Sequence, residues 1–288
     1  MSPPLPLDWY TNPDAFSHER RTLFAAAWQM IGHADQLAAP GSYICANLAG
    51  WPVFVMRDAA GSLGAFRNAC RHQNLPVLES GAGTAKLLRC RYHGWTYDFT
   101  GAFVTAPPMV APTDPSAADH HLQRFGAVEW RGLALINPDP SAASPTASLD
   151  AVVPPDRLSL DHFHTDITSE LNCNWKVVVD RYFSAGDGLL WYFPCLAFEP
   201  LVGGLIVHQI VPRTHLRSRI VHHLYTAADS DAGSLAEAMT RAAAIAKAEC
   251  EEAQARYQAG IVPAEAPTGP ALTAFRARLR AAHAQTSG

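Results

Sequence analysis

The chain has 288 residues, a length that corresponds to about two folding units of ordinary size. Hydrophobic residues make up 48% of it and charged residues 17%, which is typical of a soluble globular protein and excludes a disordered or collagen-like chain. Its 22 Lys and Arg residues stand against 26 Asp and Glu residues, which gives a net charge of -4. Because nucleic-acid binders usually carry a basic excess, we expect no nucleic acid partner.

The apolar pattern indicates neither membrane insertion nor secretion. No run approaches the roughly 18 apolar residues that a membrane-spanning helix needs. Residues 1–8 lack a charged region followed by a long apolar stretch, so they do not resemble a signal peptide. The six cysteines are too sparse for a disulfide scaffold. We therefore expect a cytoplasmic protein with no membrane partner, in which some cysteines act as thiolate ligands.

The first predicted elements are a helix and then a set of short strands. Asn12 can cap a helix with Pro13 at its first position, and apolar residues at helical spacing extend it to about Gly32. From Gly41 onward, apolar residues recur at a period of two, with turns between the runs. This pattern predicts an antiparallel meander that continues to about Leu135.

The second half is predicted to combine strands with longer helices. Residues 138–155 are rich in Pro, Ala and Ser and are interpreted as a linker. The elements predicted after it are strands at 166–171 and within 203–225, a helix that Ser234 and Glu237 cap and that ends near Gly260, and a helix from Pro270 to about His283. Met239, Ala246 and Cys250 lie on the predicted inward face of the longer helix.

The clearest chemical signal is a pair of short motifs, Cys-Arg-His at 70–72 and Cys-Arg-Tyr-His at 90–93. Two thiolates and two imidazoles suit a [2Fe-2S] cluster in which the cysteines hold one iron and the histidines hold the other. The predicted ligands are Cys70, His72, Cys90 and His93. Neutral imidazoles in place of two thiolates raise the reduction potential of such a cluster. A tetrahedral zinc site is the alternative, although zinc sites more often pair Cys with Cys and His with His.

These motifs resemble the Rieske domain of the Rieske non-haem iron oxygenases, the family of ring-hydroxylating oxygenase α-subunits. Similar segments are 65–72, 86–101 and the Asn-Trp-Lys sequence at 174–176. Respiratory Rieske proteins carry an extra cysteine in each loop, and this chain has none there. The resemblance implies an α+β fold, with an antiparallel β Rieske [2Fe-2S] domain at 38–137. Residues 1–37 and 138–288 are then expected to form a truncated α/β, helix-grip-like domain of the catalytic type.

The resemblance fails at the family's mononuclear iron site. Family members carry a bridging Asp and two His ligands after the Asn-Trp-Lys sequence, and a third ligand, an Asp, on a late helix. The matching positions here are Ala185, Gly188, Phe193 and Ala246. We therefore expect no mononuclear Fe(II) in this chain. Substitute ligands remain open at His208, His222, His223 and Glu249, although strand histidines, including His162 and His164, are more often structural.

A chain that keeps the electron donor and loses the oxygen-activating iron makes sense within a ring of subunits. The resemblance implies that its [2Fe-2S] cluster would pass electrons to the mononuclear iron of a different, catalytic α-type subunit in a hetero-oligomeric mono- or dioxygenase. A ferredoxin and/or an NAD(P)H-dependent flavin reductase would supply the electrons. The expected docking residues are Arg71, Tyr92 and Trp95. The alternatives are an autonomous oxygenase with a rearranged iron site and a free-standing Rieske redox carrier.

Overall fold

The computed structural model describes residues 4–154, 162–184, 188–261 and 269–285. The chain divides into two compact units, one formed by residues 28–145 and the other by residues 1–27 together with 146–288. Strands dominate the first unit, and the second combines a sheet with helices, so the predicted α+β class is confirmed.

The unit of residues 28–145 contains a seven-stranded antiparallel sheet with the order β1-β10-β9-β4-β3-β2-β5, and a small sheet of β6, β7 and β8. Its strands are β1 (Gln29–His33), β2 (Ser42–Leu48), β3 (Trp51–Arg57), β4 (Leu63–Arg67), β5 (Gly81–Thr84), β6 (Leu88–Arg89), β7 (Thr96–Tyr97), β8 (Phe103–Thr105), β9 (Arg124–Trp130) and β10 (Leu133–Asn137). The predicted meander is present, and the small sheet is set into it between β5 and β9. Cys70 and Cys90 lie in the same buried core as Phe54, Phe66 and Leu88.

The prediction of one helix from Asn12 to Gly32 is wrong at its end. Helical structure stops at Phe24, and β1 pairs with β10 from Gln29 onward. Gly32 does not terminate a helix: a Cβ there would lie 2.8 Å from Cδ1 of Ile44, so glycine permits close packing of β1. This strand also explains why the observed unit begins earlier than the predicted limit of residue 38.

The other unit contains a sheet whose described strands have the order β11-β15-β14-β13-β12, all antiparallel. The strands are β11 (Phe163–Leu171), β12 (Leu190–Tyr192), β13 (Leu196–Leu201), β14 (Gly204–Thr214) and β15 (Arg217–Thr226). The helices are α1 (Asp8–Thr11), α2 (Pro13–Glu19), α3 (Thr146–Val152), α4 (Trp175–Ser184), α5 (Ala232–Gln258) and α6 (Pro270–His283), and a π-helical turn at Arg20–Phe24 continues α2. Within the described ranges, no helix combines the length and apolar character needed to span a bilayer.

Two predicted helix starts are observed, one predicted helix cap is wrong, and one predicted linker contains a helix. The side chain of Asn12 accepts a hydrogen bond from the N–H of Asp14, as its predicted capping role requires, and α6 begins at Pro270. The cap of α5 is Asp231, whose carboxylate accepts from the N–H of Ser234, so the predicted Ser234–Glu237 capping box is wrong. The predicted linker contains α3, because Leu149 provides a fully buried anchor.

A buried ion pair ties α2 to α4. Nζ of Lys176 lies 2.8 Å from Oε1 of Glu19, and both side chains are 0% exposed. Trp175 donates its indole N–H to the same carboxylate at 2.8 Å, and Nε2 of His283 lies 3.0 Å from it. Burial alone would raise the pKa of Glu19, but Lys176 and these hydrogen bonds lower it below its ordinary value. Glu19 is therefore a buried anion that depends on its partners.

We expect Lys176→Met to lower the free energy of unfolding by about 3–5 kcal/mol, because it leaves a buried carboxylate without its counter-charge. The measurement is urea unfolding followed by tryptophan fluorescence. In Glu19→Gln/Lys176→Met the neutral amide can still accept from Trp175, so most of the loss should be recovered. Equal destabilisation in the single and double variants would contradict the role of the charge pair.

Candidate metal centre

The two motif loops share one backbone pattern. In each loop the N–H of the cysteine donates to the carbonyl five residues later: Cys70 to Leu75 at 2.7 Å, and Cys90 to Trp95 at 2.8 Å. The N–H of the residue four positions after the cysteine donates to the cysteine carbonyl. This bond is 2.7 Å long from Asn74 to Cys70 and 2.9 Å long from Gly94 to Cys90. Both loops are therefore closed turns that begin at a cysteine and place the histidine at the tip.

The residue four positions after each cysteine has a left-handed backbone, and the two loops use different residue types there. Asn74 has φ +57° and Gly94 has φ +73°. Asparagine tolerates this conformation and glycine adopts it without strain. A Cβ on Gly94 would also lie 3.1 Å from Cγ of Pro107, so the second loop has less room than the first. The loop shape thus follows from residue types that the sequence provides at matching positions.

These turns bring the four candidate ligands together. Cys70 and Cys90 are each 1% exposed and belong to the same buried cluster. The rings of His72 and His93 are half-buried and lie with centroids 4.7 Å apart, at 89°. The thiols therefore lie towards the core and the imidazoles towards the surface of the unit.

The surroundings of His72 fit a metal bond through Nδ1. This nitrogen is buried and has no hydrogen-bond partner among the described residues. A buried polar atom without a partner is costly, so it requires an explanation such as an ion. The ring lies parallel to Trp95 at 5.3 Å, and the indole N–H of Trp95 donates to the carbonyl of Val110 at 2.8 Å. Trp95 thus fixes the plane of the imidazole.

Tyr97 provides the hydrogen bond closest to the thiols. Its hydroxyl oxygen lies 3.1 Å from Sγ of Cys70 and accepts from the N–H of Arg71 at 3.0 Å. With the Arg71 N–H at one acceptor site, the hydroxyl can donate its proton to sulfur. Burial and the neighbouring Cys70 raise the pKa of Tyr97, so the phenol keeps that proton. The sequence motifs do not include Tyr97, although its position two residues after Trp95 places it beside the second loop.

The four side chains fit a [2Fe-2S] cluster better than one zinc ion. Across the described ranges, no group of three or more His, Cys, Asp or Glu side chains could hold a single metal ion. A two-iron cluster requires only two protein ligands at each iron, whereas a tetrahedral zinc site requires four around one point. Cys70, His72, Cys90 and His93 could therefore hold the cluster, with the imidazoles on the outer iron.

Two of the three predicted docking residues have exposed side chains, and the third is buried. Tyr92 is 58% exposed, and Arg71 is exposed while its Nε donates to the carbonyl of Asp119 at 2.7 Å. Trp95 is only 4% exposed, because it packs between His72 and Phe103 in the core. The expectation that Trp95 contacts a partner is therefore wrong for its side chain.

In the other unit, the positions matched to the iron ligands carry no ligand side chain. Gly188 and Ala246 both line a cavity of about 300 Å³. Phe193 packs against Phe275, with ring centroids 5.3 Å apart, and lies under the guanidinium of Arg278 at 4.1 Å. The position matched to the bridging carboxylate, Ala185, lies outside the described residues.

Of the four substitute metal ligands that the sequence leaves open, two lie together and two lie apart from them. His208 and His222 are register partners on β14 and β15, and their Nδ1 atoms lie 2.8 Å apart. His223 lies 3.3 Å from Oε1 of Gln209 instead, because adjacent strand residues point to opposite faces. Glu249 pairs with Arg181. His162 and His164 are exposed. The carboxylate that does join the pair, Glu199 at 2.9 Å from Nε2 of His208, was not predicted.

Comparison with known proteins identifies the first unit. Residues 27–125 match the Rieske [2Fe-2S] domain family. The chain therefore contains a Rieske [2Fe-2S] domain, and it is homologous to the α-subunits of ring-hydroxylating oxygenases.

Three relatives illustrate the extent of this homology. Chlorobenzene dioxygenase subunit alpha of Cupriavidus sp. (strain PS12) is 30% identical over 60% of this chain and 40% of its own length. Choline monooxygenase, chloroplastic, of Arabidopsis thaliana is 28% identical over 69% of this chain and 49% of its own length. A structure of a quaternary ammonium Rieske monooxygenase, described with inter-subunit electron transfer, has a TM-score of 0.77 at 20% identity, covering 98% of this chain and 100% of that one. The chain thus spans less than half the length of these two curated relatives and shares the fold of the solved one.

We expect Tyr97→Phe to lower the reduction potential of the cluster by about 60 mV, which corresponds to about 1.4 kcal/mol for a one-electron couple. The reason is that a hydrogen bond to sulfur stabilises the more negative, reduced state. Protein-film voltammetry would measure the change. Tyr92→Phe is the matched control, because it removes the hydroxyl of an exposed tyrosine in the second loop. A potential that stays the same in Tyr97→Phe would contradict the direction assigned to the hydroxyl proton.

Proposed function

We propose that this chain is the electron-delivering companion subunit of a hetero-oligomeric Rieske mono- or dioxygenase. In this proposal Cys70, His72, Cys90 and His93 hold the [2Fe-2S] cluster, and the mononuclear iron belongs to a catalytic α-type partner subunit. A ferredoxin and/or an NAD(P)H-dependent flavin reductase reduces the chain, and the assembly works in the cytoplasm. When bound, the cluster supplies one-electron transfer.

The observation that carries the proposal is the contrast between the two units. Four complementary ligands converge in one unit, and His72 keeps a buried Nδ1 without a partner in the described structure. In the other unit Gly188 and Ala246 line the cavity, and neither can bind a metal through its side chain. Electron donation is therefore the part of the family's chemistry that the residues of this chain support.

The position of the two histidines favours delivery to another protein. His72 and His93 lie on the surface side of the thiols, and Tyr92, next to His93, exposes 58% of its area. Aromatic and arginine side chains are enriched in interface cores. We propose that Tyr92 and Arg71 contact the partner, while Trp95 acts indirectly by holding the His72 ring. Inter-subunit electron transfer, which the solved relative is described as using, is consistent with this role.

The autonomous oxygenase with a rearranged iron site has one observation in its favour, namely the His208–His222 pair. The pair with Glu199 still does not amount to a metal site in the described residues, because no three such side chains can hold one ion. A free-standing redox carrier requires no partner at all. The number of metal ions and the dependence on a partner distinguish the three hypotheses.

We expect the purified chain to contain two irons and two acid-labile sulfides, and no third iron. After reduction with dithionite it should give a Rieske-type EPR signal, with an average g value below that of plant-type ferredoxins, because two ligands of the outer iron are neutral nitrogens. His72→Cys should shift this signal, and His164→Cys, at an exposed position in the other unit, should not. A ferrous site that binds nitric oxide would favour the autonomous oxygenase, and zinc in place of iron would contradict the cluster.

We expect co-expression with the catalytic partner to yield a mixed assembly whose turnover falls at least about tenfold in Tyr92→Ala, with both metal centres filled. The physical reason is the loss of a central aromatic contact beside His93. The measurements are product formation, metal content and stopped-flow oxidation of the reduced chain by the partner. Val202→Ala, which truncates a 99% exposed apolar side chain on the other unit, is the control. A partner that is fully active without this chain would favour the carrier hypothesis.

A further inference from the structure

Strand pairing supports the second motif loop. The strands β6 and β7 flank it, with Leu88, two residues before Cys90, opposite Tyr97. This ladder continues outward from the hydrogen bond that Cys90 makes with the carbonyl of Trp95. Backbone hydrogen bonds therefore hold the chain on both sides of the second cysteine.

The first motif loop has no such ladder. Its innermost hydrogen bond joins Cys70 to Leu75, and the next residue outward is Pro76, which has no N–H to donate. The segment between Leu75 and β5, which the structure describes in full, contains no strand. By the register of the second loop, Val77 would be opposite Asn68. The N–H groups after the proline therefore need acceptors other than a neighbouring strand.

The side-chain amide of Asn68 provides these acceptors. Its Oδ1 accepts from the N–H of Val77 at 2.9 Å and from that of Leu78 at 3.1 Å, and its Nδ2 donates to the carbonyl of Leu78 at 2.8 Å. Nδ2 also lies 3.6 Å from Sγ of Cys45, so both acceptor sites and both donor protons of the amide are used. Asn68 is buried, and its own N–H donates to the carbonyl of Pro52 on β3 at 2.8 Å. The amide thus joins the returning chain to the sheet.

The residue type at this position matters as much as its burial. Only an amide offers acceptor and donor groups together on one short side chain; an ionised aspartate lacks the donors, and glutamine carries its amide one methylene further from the backbone. Val77 and Leu78 pack against the same core as Cys70. Their position therefore determines where the loop that carries Cys70 and His72 meets that core.

We propose that Asn68 is a positioning residue of the metal centre, whose amide replaces strand pairing in the first loop and holds Cys70 and His72 where they bind iron. It acts through the backbone of the loop and is not itself a ligand. This role rests on the ligand set of the proposed electron-delivering function. Groups that orient metal ligands without binding the metal typically change metal affinity by about 10–100-fold when they are removed.

Two variants separate positioning from a general loss of stability, namely Asn68→Ala and the control Asn137→Ala. Asn137 is also buried in the same unit, at the end of β10, and its Oδ1 accepts from the N–H of Asp139 at 2.9 Å. The measurements are iron release from the oxidised chain to a chelator, the EPR spectrum after reduction with dithionite, and urea unfolding.

We expect Asn68→Ala to release iron about tenfold faster than the unsubstituted chain and to broaden the EPR lines, because His72 then occupies a range of positions. Asn137→Ala should keep the original release rate and line width, even where urea unfolding shows an equal loss of stability. An Asn68→Ala chain that folds without a cluster, beside a loaded Asn137→Ala chain, is the limiting form of the same result.

Hydrogen exchange in the unsubstituted chain needs no variant to fold. The N–H groups of Val77 and Leu78 should exchange as slowly as the N–H of Cys90, which is bonded within the second loop. Mass spectrometry with residue-level fragmentation would measure the three rates.

Three results would overturn the role of Asn68. They are equal iron-release rates in Asn68→Ala and Asn137→Ala, unchanged EPR lines in Asn68→Ala, and rapid exchange at Val77 and Leu78. Each of them leaves the cluster in the unsubstituted chain, so the electron-delivering function would stand. An unsubstituted chain that binds no [2Fe-2S] cluster would contradict both.

Discussion

The geometry of the metal centre depends on one repeated interaction, the hydrogen bond from each motif cysteine to the carbonyl five residues later. It closes both loops into the same turn and fixes the direction in which each thiol points. A thiolate pair repels itself, so the two sulfurs stay close only where the backbone holds them and donors such as Tyr97 offset their charge. The loops therefore supply the rigidity, and the core of the unit supplies the burial.

Local chemistry explains why the candidate ligands could be proposed from the sequence while other features could not. The ligand types and their spacing are contained in two short segments, and no distant contact is needed to recognise them. Asn12 and Pro270 were also readable, because a cap and a helical first turn are local properties. Gly32 was not, since only its contact with Ile44 distinguishes a packing glycine from a helix terminator. Glu199 was missed for the same reason: its partner is on a neighbouring strand, and neither residue belongs to a motif.

Buried polar groups maintain the packing of the second unit. Its interior is fixed by charges that take no part in any metal site, namely Glu19 with Lys176, and Asp180 with Tyr10 and Arg276. A buried charge without its partner is strongly destabilising, so these networks maintain the packing of α2, α4 and α6. Small residues at 188 and 246 only enlarge a cavity that the surrounding elements already support.

The two units differ in the side chains that they place at the positions matched to metal ligands. In the candidate metal centre each closed loop begins at a buried cysteine and places its histidine at the tip, and Nδ1 of His72 is buried with no partner among the described residues. In the cavity, Gly188 and Ala246 come from separate parts of the chain, and neither side chain carries a polar group that would require a partner. The polar lining of the same cavity includes Glu199, His208 and His222, which are joined by contacts of 2.9 Å and 2.8 Å. Pairing of the strands β13, β14 and β15 in register is what brings these three groups together.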